Sequence, residues 1–311
     1  MGKPKIVVVG SSNTDMVVRV PHIPAPGETI LGTDFMIIPG GKGANQAVAA
    51  ARAGAEVTFI TCVSDDTFGR QSIENYKKEG IDTSYIKVQQ GTHSGIALIS
   101  VAEDGENSIA VAPGANSFLL PEDIHRFEKA FEGAKMVLAQ LEIPLKTVEA
   151  LAELARSKGV QFILNPAPGA PIPESLLDNV SVITPNETEA AILSATEDFI
   201  EKDILEMARK ISGDKNRTVI ITMGSKGVYL KSSGFEGIIP GYKVDVVDTT
   251  AAGDVFNGTL VSALAGGAGI TAAIDFAQCA AAISVTRMGA QPSAPTLVEI
   301  QHYRFIQQNE N

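Results

Sequence analysis

From about residue 120 onward, the chain alternates between helical patterns and short, continuous apolar runs. The apolar runs are MVLAQL, VQFILN, VSVIT and TVIITM. Helical patterns cover 121–132, 146–158, 186–194 and 201–212. Continuous apolar strands separated by helices are typical of a parallel sheet that is covered on both faces. We therefore predict an α/β protein with a mostly parallel central sheet.

The N-terminal part contains two kinds of predicted strand. KIVVVG (5–10) and EVTFITCV (56–63) are apolar, β-branched runs like those of the central sheet, and a helical pattern covers 44–53. Strands of alternating polarity fall near 15–20, 34–39, 95–101 and 107–112. Alternation indicates an antiparallel flap with one exposed face. We expect one domain over 1–311, with a small β lid contributed by about 13–39 and 93–113.

Composition excludes several classes of protein. The chain has 311 residues, 44% of them hydrophobic, and a net charge of −11, which argues against a nucleic-acid-binding surface. Cys62 and Cys279 are the only cysteines, which fits a reducing compartment and argues against disulfide or zinc frameworks. No apolar window approaches the length of a membrane span. We expect a soluble, cytoplasmic protein that binds neither nucleic acid nor membranes.

Several common site motifs are absent from the sequence. Gly40-Gly41-Lys42-Gly43 lacks the Ser or Thr of a P-loop, and GSSNTD after the first strand is not a dinucleotide fingerprint. There is also no G-x-S-x-G nucleophile elbow and no H-E-x-x-H motif. These absences count against hydrolases, zinc proteases and simple dehydrogenases.

The stretch DTTAAGDVFNG at 248–258 joins small residues and two acids to the start of an apolar helical pattern. Asp254 at this position has two interpretations. It is either an N-cap that accepts hydrogen bonds from free backbone N–H groups, or a reactive carboxylate beside an anion site. A carboxylate at a helix N-terminus is expected to stay ionised, so it could accept a proton.

Polar residues also follow several predicted strands, and each has a structural alternative. Asn13 and Asp15 could form a turn, and Gly40-Gly41 could be a tight turn beside a solvated Lys42. Glu142 could be an exposed loop acid, and Asn186 with Glu189 could cap a helix. Ligands of such sheets bind at the carboxyl ends of the strands. Gathered there, these groups could bind the hydroxyls of a polyol.

Two longer stretches resemble signature regions of the ribokinase-like carbohydrate kinases: GGKGANQAVAAARAGA (40–55) and DTTAAGDVFNG (248–258). The likeness covers nearly the whole chain, through VVVGSSNTD, QLE, NPAP, TPNETE, TMGSKG and RMGAQPS. The resemblance implies a three-layer α/β/α ribokinase-like fold with a β lid. It also implies ATP-dependent phosphorylation of D-ribose at O5.

The resemblance assigns roles to particular residues. Asp254 would be the general base, and the backbone of Ala251, Ala252 and Gly253 would form an anion hole for the γ-phosphoryl group. The sugar would be held by Asn13, Asp15, Gly41, Lys42, Asn45, Glu142 and Asp254. ATP would lie along Asn186, Thr222, Gly224, Ser225, Gly227, Gly253 and Gln278, with Glu189 placing Mg²⁺ through water.

The resemblance further implies a monovalent cation, usually K⁺, and a homodimer formed through the lid. The cation would be surrounded by Asp248, Thr250, Ser284, Arg287, Gly289 and Ser293, several of them through main-chain carbonyls. One departure is Ala251, where the wider family often has Gly. Two alternatives stay open: a kinase for another sugar such as 2-deoxyribose or fructose, and a catalytically silent binder of sugar or nucleotide.

Overall fold

The structure is a computed structural model that describes residues 2–196, 204–213 and 217–310. Nine strands form the main sheet, in the spatial order β13-β12-β11-β10-β9-β8-β1-β4-β5. Their bounds are β1 (Lys5–Val9), β4 (Glu56–Ser64), β5 (Ile86–Gln89), β8 (Met136–Ala139), β9 (Gln161–Leu164), β10 (Val182–Ile183), β11 (Thr218–Thr222), β12 (Val228–Lys231) and β13 (Glu236–Ile239). All neighbouring pairs from β11 to β5 are parallel, whereas β12 and β13 add an antiparallel edge.

Helices cover both faces of this sheet. Their bounds are α1 (Lys42–Arg52), α2 (Thr67–Lys78), α3 (Pro121–Arg126), α4 (Leu145–Lys158), α5 (Glu174–Leu177), α6 (Glu187–Leu193), α7 (Ile204–Ser212), α8 (Ala252–Ala265), α9 (Ile270–Val285) and α10 (Leu297–Glu310). Strand β1 shows why two layers of helices are needed. Val7 and Val9 pack into one core with α3, α4 and α7, whereas Ile6 and Val8 pack into the other with α1, α8 and α9. The predicted three-layer α/β fold is confirmed.

A second, four-stranded sheet forms the lid, in the order β3-β2-β6-β7. Its strands are β2 (Asn13–Val20), β3 (Asp34–Gly40), β6 (Gly95–Ala102) and β7 (Asn107–Ala112). The outer pairs are antiparallel, but β2 and β6 run parallel, so the prediction of a purely antiparallel flap is wrong. The lid consists of two hairpins, and the first strand of each leaves the body of the protein in the same direction.

Two predicted helices differ from the structure. The pattern over 121–132 is split into α3 and a 3₁₀ turn at Glu128–Phe131. The pattern over 201–212 corresponds to α7, and its first residues lie outside the described part of the chain. Among the residues that the structure describes, none of the helices combines the length and apolar character needed to cross a membrane.

Candidate active site

The polar residues predicted at strand ends meet along one edge of the main sheet. Strands β1, β8, β9, β10 and β11 are parallel neighbours, so their carboxyl ends share that edge. The segments that follow the first four of these strands supply Ser11, Gln140, Asn165 and Thr184, and Thr222 is the last residue of β11. The lid rises from the same edge, because β2 begins directly after β1. This edge is the candidate active site.

Asn13 and Asp15 lie in a lid strand rather than in a turn, so the turn interpretation is wrong. Asn13 pairs in register with Gly40 and Gly95, and Asp15 pairs with Ile38 and Ala97. Residues two apart in a strand point to the same face. The side chains of Asn13 and Asp15 therefore share one face of the lid.

The start of α1 is anchored by a carboxylate from another strand end. Glu142 Oε2 accepts a hydrogen bond from Ser11 Oγ at 2.5 Å and another from the Lys42 N–H at 3.0 Å. The alternative of Glu142 as an exposed loop acid is therefore wrong. Gly41, at the N-cap position of α1, has a φ of 90°. Together these contacts fix Lys42 and Asn45 at the mouth of the site.

Asp254 is the third residue of α8 and is only 7% exposed. Its Oδ2 accepts from Asn45 Nδ2 at 2.9 Å, and its Oδ1 accepts from Gln46 Nε2 at 2.9 Å. The N-cap position is occupied by Ala251. The helix-cap interpretation of Asp254 is wrong, because side chains of α1 occupy its oxygens. The carboxylate is instead held in one orientation beside the N-terminus of α8.

Three amides that sequence reasoning missed support this carboxylate. Gln46 is 0% exposed and donates to Asn165 Oδ1 at 3.0 Å as well as to Asp254. Its own oxygen accepts from Gln140 Nε2 at 2.5 Å. Gln46 directly follows Asn45 in the GGKGANQA signature, so the motif contained a signal for it. Nothing in the sequence singled out Gln140 or Asn165 as its partners.

Burial and mutual repulsion shape the charges of the site. Burial raises the pKa of Asp254 above its ordinary value, although the charge of Lys42 and the hydrogen bonds from Asn45 and Gln46 act in the opposite direction. The helix terminus favours the ionised form of Asp254, as the sequence predicts, but burial opposes it. Burial, with the charges of Glu142 and Asp254, also raises the pKa of Asp15, to about 6. Asp254 therefore has more affinity for a proton than an exposed aspartate.

Lys42 is the cation at the centre of these acids. Burial alone would lower its pKa, but the surrounding carboxylates outweigh that effect and raise it. These carboxylates belong to Asp254, Glu142, Glu189 and Asp15. The interpretation of Lys42 as a solvated surface charge is therefore wrong. An ammonium group fixed at this position can stabilise the negative charge of an anionic group during its transfer.

Two adjoining cavities open beside the N-terminus of α8. The polar one, of about 220 Å³, brings together Lys42, Asn186, Glu189, Thr222 and the segment Ala251–Asp254. The apolar one, of about 380 Å³, is lined by Thr222, Gly224, Ser225, Gly227, Gly253 and Gln278, among others. Every residue predicted to contact ATP thus lines one of the two cavities. Thr222 and Gly253 line both.

Asn186 and Glu189 have a structural role that the sequence also allowed. Asn186 Oδ1 accepts from the Glu189 N–H at 2.8 Å, and Glu189 Oε2 accepts from the Asn186 N–H at 2.9 Å. This reciprocal pair caps α6, as the structural alternative predicted. Both residues also line the polar cavity, so capping does not exclude contact with a ligand.

The residues predicted to surround a monovalent cation are only partly brought together by their side chains. Asp248 accepts from the Thr250 N–H at 2.9 Å and from the Gly289 N–H at 2.8 Å, which joins two loops. By contrast, Ser284 and Ser293 donate to carbonyls of their own turns, and Arg287 pairs with Glu299. Despite partial burial, the hydrogen bonds lower the pKa of Asp248. The loop junction therefore carries a negative charge.

Comparison with known proteins identifies the family. The model of the pfkB family carbohydrate kinases matches residues 3–297. The chain belongs to the pfkB family of carbohydrate kinases. This membership confirms the prediction of a ribokinase-like carbohydrate kinase.

Individual relatives cover almost the whole kinase. A ribokinase of Haemophilus influenzae is 45% identical over 294 residues, which are 94% of this chain and 96% of that protein. A deoxyribokinase of Salmonella typhi is 36% identical over 96% of this chain and 98% of that protein. An Arabidopsis thaliana ribokinase, solved in complex with ribose and ATP, superimposes with a TM-score of 0.85 at 31% identity, covering 97% of this kinase and 99% of that chain.

Proposed function

We propose that this kinase transfers the γ-phosphoryl group of ATP to O5 of D-ribose, giving D-ribose 5-phosphate and ADP. The observation that carries the proposal is Asp254, a buried carboxylate oriented by two amides at the N-terminus of α8. A polar cavity adjoins this carboxylate, and an apolar cavity of nucleotide size adjoins that. The 45% identity to a protein named ribokinase supports ribose as the sugar.

The sugar would lie between the lid and the start of α1. Asn13 and Asp15 would face it from β2. Gly41 would face it from the N-cap of α1, Lys42 and Asn45 from α1 itself, and Glu142 from the loop after β8. These residues offer both donors and acceptors, which a polyol needs for its several hydroxyls. Asp254 would lie at the bottom of this sugar pocket and contact the reacting hydroxyl.

In the reaction, the ribose O5–H gives its proton to Asp254 while O5 forms a bond to the γ-phosphorus. The bond from that phosphorus to the β–γ bridging oxygen breaks, and ADP leaves with the bonding pair. The pKa of Asp254, raised by burial, suits a group that must accept a proton. The N–H groups of Ala251, Ala252 and Gly253, at the positive end of α8, would stabilise the charge on the transferred group.

ATP would occupy the two adjoining cavities. Its phosphates would lie along Asn186 and Gly253, and its base would enter the apolar cavity near Thr222, Gly224, Ser225 and Gly227. Gln278 Nε2 donates to the Pro240 carbonyl at 3.2 Å. Its Oε1 is buried and, within the described part of the chain, has no hydrogen-bond partner. This oxygen could accept a hydrogen bond from an exocyclic amine such as that of adenine.

The residues present fit a magnesium ion held mainly by the nucleotide. Glu189 lines the polar cavity, and its Oε2 accepts a hydrogen bond from the Asn186 N–H. Among the described residues, no group of three or more His, Cys, Asp or Glu side chains could hold a metal ion by itself. Mg²⁺ usually keeps several waters and binds through few protein carboxylates. When bound, it would neutralise charge on the phosphates, with Glu189 holding one of its waters.

A potassium site fits the loop junction at Asp248. This carboxylate already joins the loop around Thr250 to the one around Gly289, beside the N-terminus of α8. Ser284, Arg287 and Ser293 would complete the site, largely through main-chain oxygens. K⁺ would add positive charge near the anion hole.

The whole of residues 1–311 would act as one kinase domain that pairs with a second copy through the lid. On the lid face opposite Asp15, Phe35, Ile37 and Leu98 are 57%, 54% and 56% exposed. An apolar sheet face of this kind needs a cover, and a second lid is a matched one. The two free, buried cysteines fit a cytoplasmic enzyme.

The test is ADP formation and ³¹P NMR of the product, with Mg-ATP and D-ribose, 2-deoxy-D-ribose, D-fructose or adenosine, with and without K⁺. We expect D-ribose 5-phosphate with the highest kcat/KM, and more of it with K⁺. A kcat/KM for 2-deoxyribose equal to that for ribose would favour a deoxyribokinase, which is the name of the Salmonella typhi relative. Sugar binding without turnover would favour a silent binder.

A further inference from the structure

Asn116 lies where the lid rejoins the body of the kinase. It belongs to a 3₁₀ turn, Gly114–Phe118, that directly follows the last lid strand, β7. Although polar, it is only 2% exposed. Its hydrogen bonds cross 103 or 104 residues of sequence to reach the segment that enters β2. The side chain therefore joins the end of the lid to its beginning.

The polarity of the Asn116 amide is fixed by main-chain groups. Its Oδ1 accepts from the Ser12 N–H at 2.9 Å, and its Nδ2 lies 3.3 Å from the Ser12 carbonyl oxygen. A backbone N–H can only donate and a backbone C=O can only accept. Turning the amide over would place donor against donor and acceptor against acceptor. Asn116 must therefore point its Nδ2 toward Asn13.

The fixed orientation of the Asn116 amide also fixes the orientation of the Asn13 amide. Asn116 Nδ2 donates to Asn13 Oδ1 at 2.7 Å, which uses the oxygen of the Asn13 amide. Within the part of the chain that the structure describes, no group accepts a hydrogen bond from Asn13 Nδ2. We propose that Asn116 is a positioning residue, which orients Asn13 so that its NH₂ group is offered to the sugar. The inference rests on the proposed function, because it concerns the same sugar site.

The donor at Asn13 complements the acceptor beside it. Asp15 lies two residues further along the same face of β2 and offers carboxylate oxygens. A sugar hydroxyl can donate to Asp15 and accept from Asn13 at the same time. If the Asn13 amide turned over, both residues would offer only acceptors. The sugar would then lose one hydrogen bond at this face of the pocket.

The same contact couples this orientation to the lid. A Cβ atom added at Gly95, the first residue of β6, would lie 2.1 Å from Asn13 Oδ1 and 2.4 Å from Asn116 Nδ2. Glycine at this position therefore lets β6 approach the amide pair. The Ala115 N–H also donates to the His93 carbonyl at 2.9 Å, which ties the two ends of the second hairpin. The roots of both lid hairpins thus meet at the Asn13–Asn116 pair.

A double-mutant cycle tests the proposal. The variants Asn116→Ala, Asn13→Ala and the double variant are compared with the wild type by calorimetric Kd for D-ribose, by kcat, and by KM for ribose and ATP. We expect Asn116→Ala to weaken ribose binding about tenfold, since one hydrogen bond in a desolvated pocket is lost. KM for ATP should change less than about twofold, and in the Asn13→Ala background Asn116→Ala should add almost nothing. Asn179→Ala, which removes a side-chain bond to the Ser175 carbonyl far from the site, is the matched control.

A second, nearly isosteric variant tests the polarity argument. Asn116→Asp keeps an acceptor for the Ser12 N–H but places an oxygen opposite Asn13 Oδ1, so Asn13 should turn over. We expect ribose binding to weaken at least as much as in Asn116→Ala, again only while Asn13 is present. Additive effects in the Asn13→Ala background, or parallel changes in both KM values, would overturn the proposal. An unchanged ribose Kd in Asn13→Ala itself would instead refute the sugar-binding role of Asn13.

Discussion

At the scale of single residues, Ala251 combines an unfavourable backbone conformation with a position in the anion hole that we propose. Its φ is 58°, in the left-handed region that a side chain with a Cβ adopts at a cost of roughly 1–2 kcal/mol. Glycine has no Cβ and adopts this conformation without that cost.

We predict that Ala251→Gly stabilises the protein by about 1 kcal/mol, because Gly adopts the left-handed conformation without strain. Urea denaturation measures the change. The control is Ala252→Gly, one residue further on, where the backbone is helical and Gly should instead destabilise by about 0.5–1 kcal/mol. Loss of stability in Ala251→Gly would contradict the conformation described.

Asp15 makes stability depend on pH in an unusual direction for an aspartate. Its pKa of about 6 lies above the ordinary 3.8, so the folded state binds the proton more tightly than the unfolded chain does. The stabilising contribution is fully present below the ordinary pKa and is lost as pH rises through about 6. We predict that Asp15→Asn makes the sugar-free protein more stable at pH 8, on the order of 2 kcal/mol, but leaves stability nearly unchanged at pH 4.

Chemical denaturation at the two pH values measures this effect, and the pH 4 result is its internal control. Equal stabilisation at both pH values would show that the carboxylate is not strained by burial. The same variant should bind ribose more weakly, since we propose that Asp15 contacts the sugar.

Single residues also show where sequence reasoning stops. The motif at 248–258 points to Asp254, but the sequence does not decide whether this residue caps the helix or reacts. The deciding partners, Asn45 and Gln46, lie 209 and 208 residues away. The sequence does not predict a role for Asn116, because no sequence pattern distinguishes a buried asparagine in a turn from an exposed one. Contacts at such separations depend on the fold, which local sequence does not specify.

At the scale of elements, the packing of α1 against α8 brings the two signature regions together. A Cβ atom at Gly258 would lie 2.3 Å from the Gln46 carbonyl oxygen and 2.8 Å from the Ala49 Cβ. These atoms belong to the backbone and the first side-chain atom of α1, so they cannot rotate away. The closeness of the helices is what allows Asn45 and Gln46 to reach Asp254.

We predict that Gly258→Ala destabilises the protein by about 1–3 kcal/mol and also lowers kcat, because the helices must separate. Thermal unfolding and steady-state kinetics measure the two effects. Gly234→Ala, at an exposed turn position where an added Cβ would meet nothing within 4 Å, should change stability by less than about 0.5 kcal/mol. A Gly258→Ala variant with wild-type stability would contradict the close packing.

The lid shows which features of elements can be predicted. Alternating polarity located all four strands within two residues of their observed bounds. It could not predict that β2 and β6 are parallel neighbours, because alternation indicates only which face is exposed. The pairing follows from where each hairpin leaves the body of the protein.

At the scale of the whole molecule, the apolar runs predict the order of the layers, whereas the prediction of a dimer rests on the family resemblance alone. Apolar runs such as TVIIT indicate strands buried on both faces, and the sheet order places them in the interior. By contrast, Phe35, Ile37 and Leu98 on the lid face opposite Asp15 are more than half exposed in the part of the chain that the structure describes. A second copy is the cover that we propose.

We predict that the double variant Ile37→Asp/Leu98→Asp is monomeric, because two charges would be buried in the lid–lid contact. Sedimentation equilibrium measures the mass, and the wild type should be a dimer at the same concentration. Val298→Asp, at a position 72% exposed on α10, should stay dimeric. A dimeric lid variant would show that the two copies associate elsewhere or through another face.

We propose that Asp254 is the general base of a sugar kinase, and the variant Asp254→Asn removes that base while keeping the shape of the side chain. The measurement is ribose-dependent ADP formation with Mg-ATP and K⁺, analysed as kcat and as KM for each substrate. We predict that kcat falls by about 10² or more, since base catalysis contributes about that much, while KM for ATP changes little. A kcat within a few-fold of the wild type would contradict the claim, because the neutral amide cannot take the proton from O5.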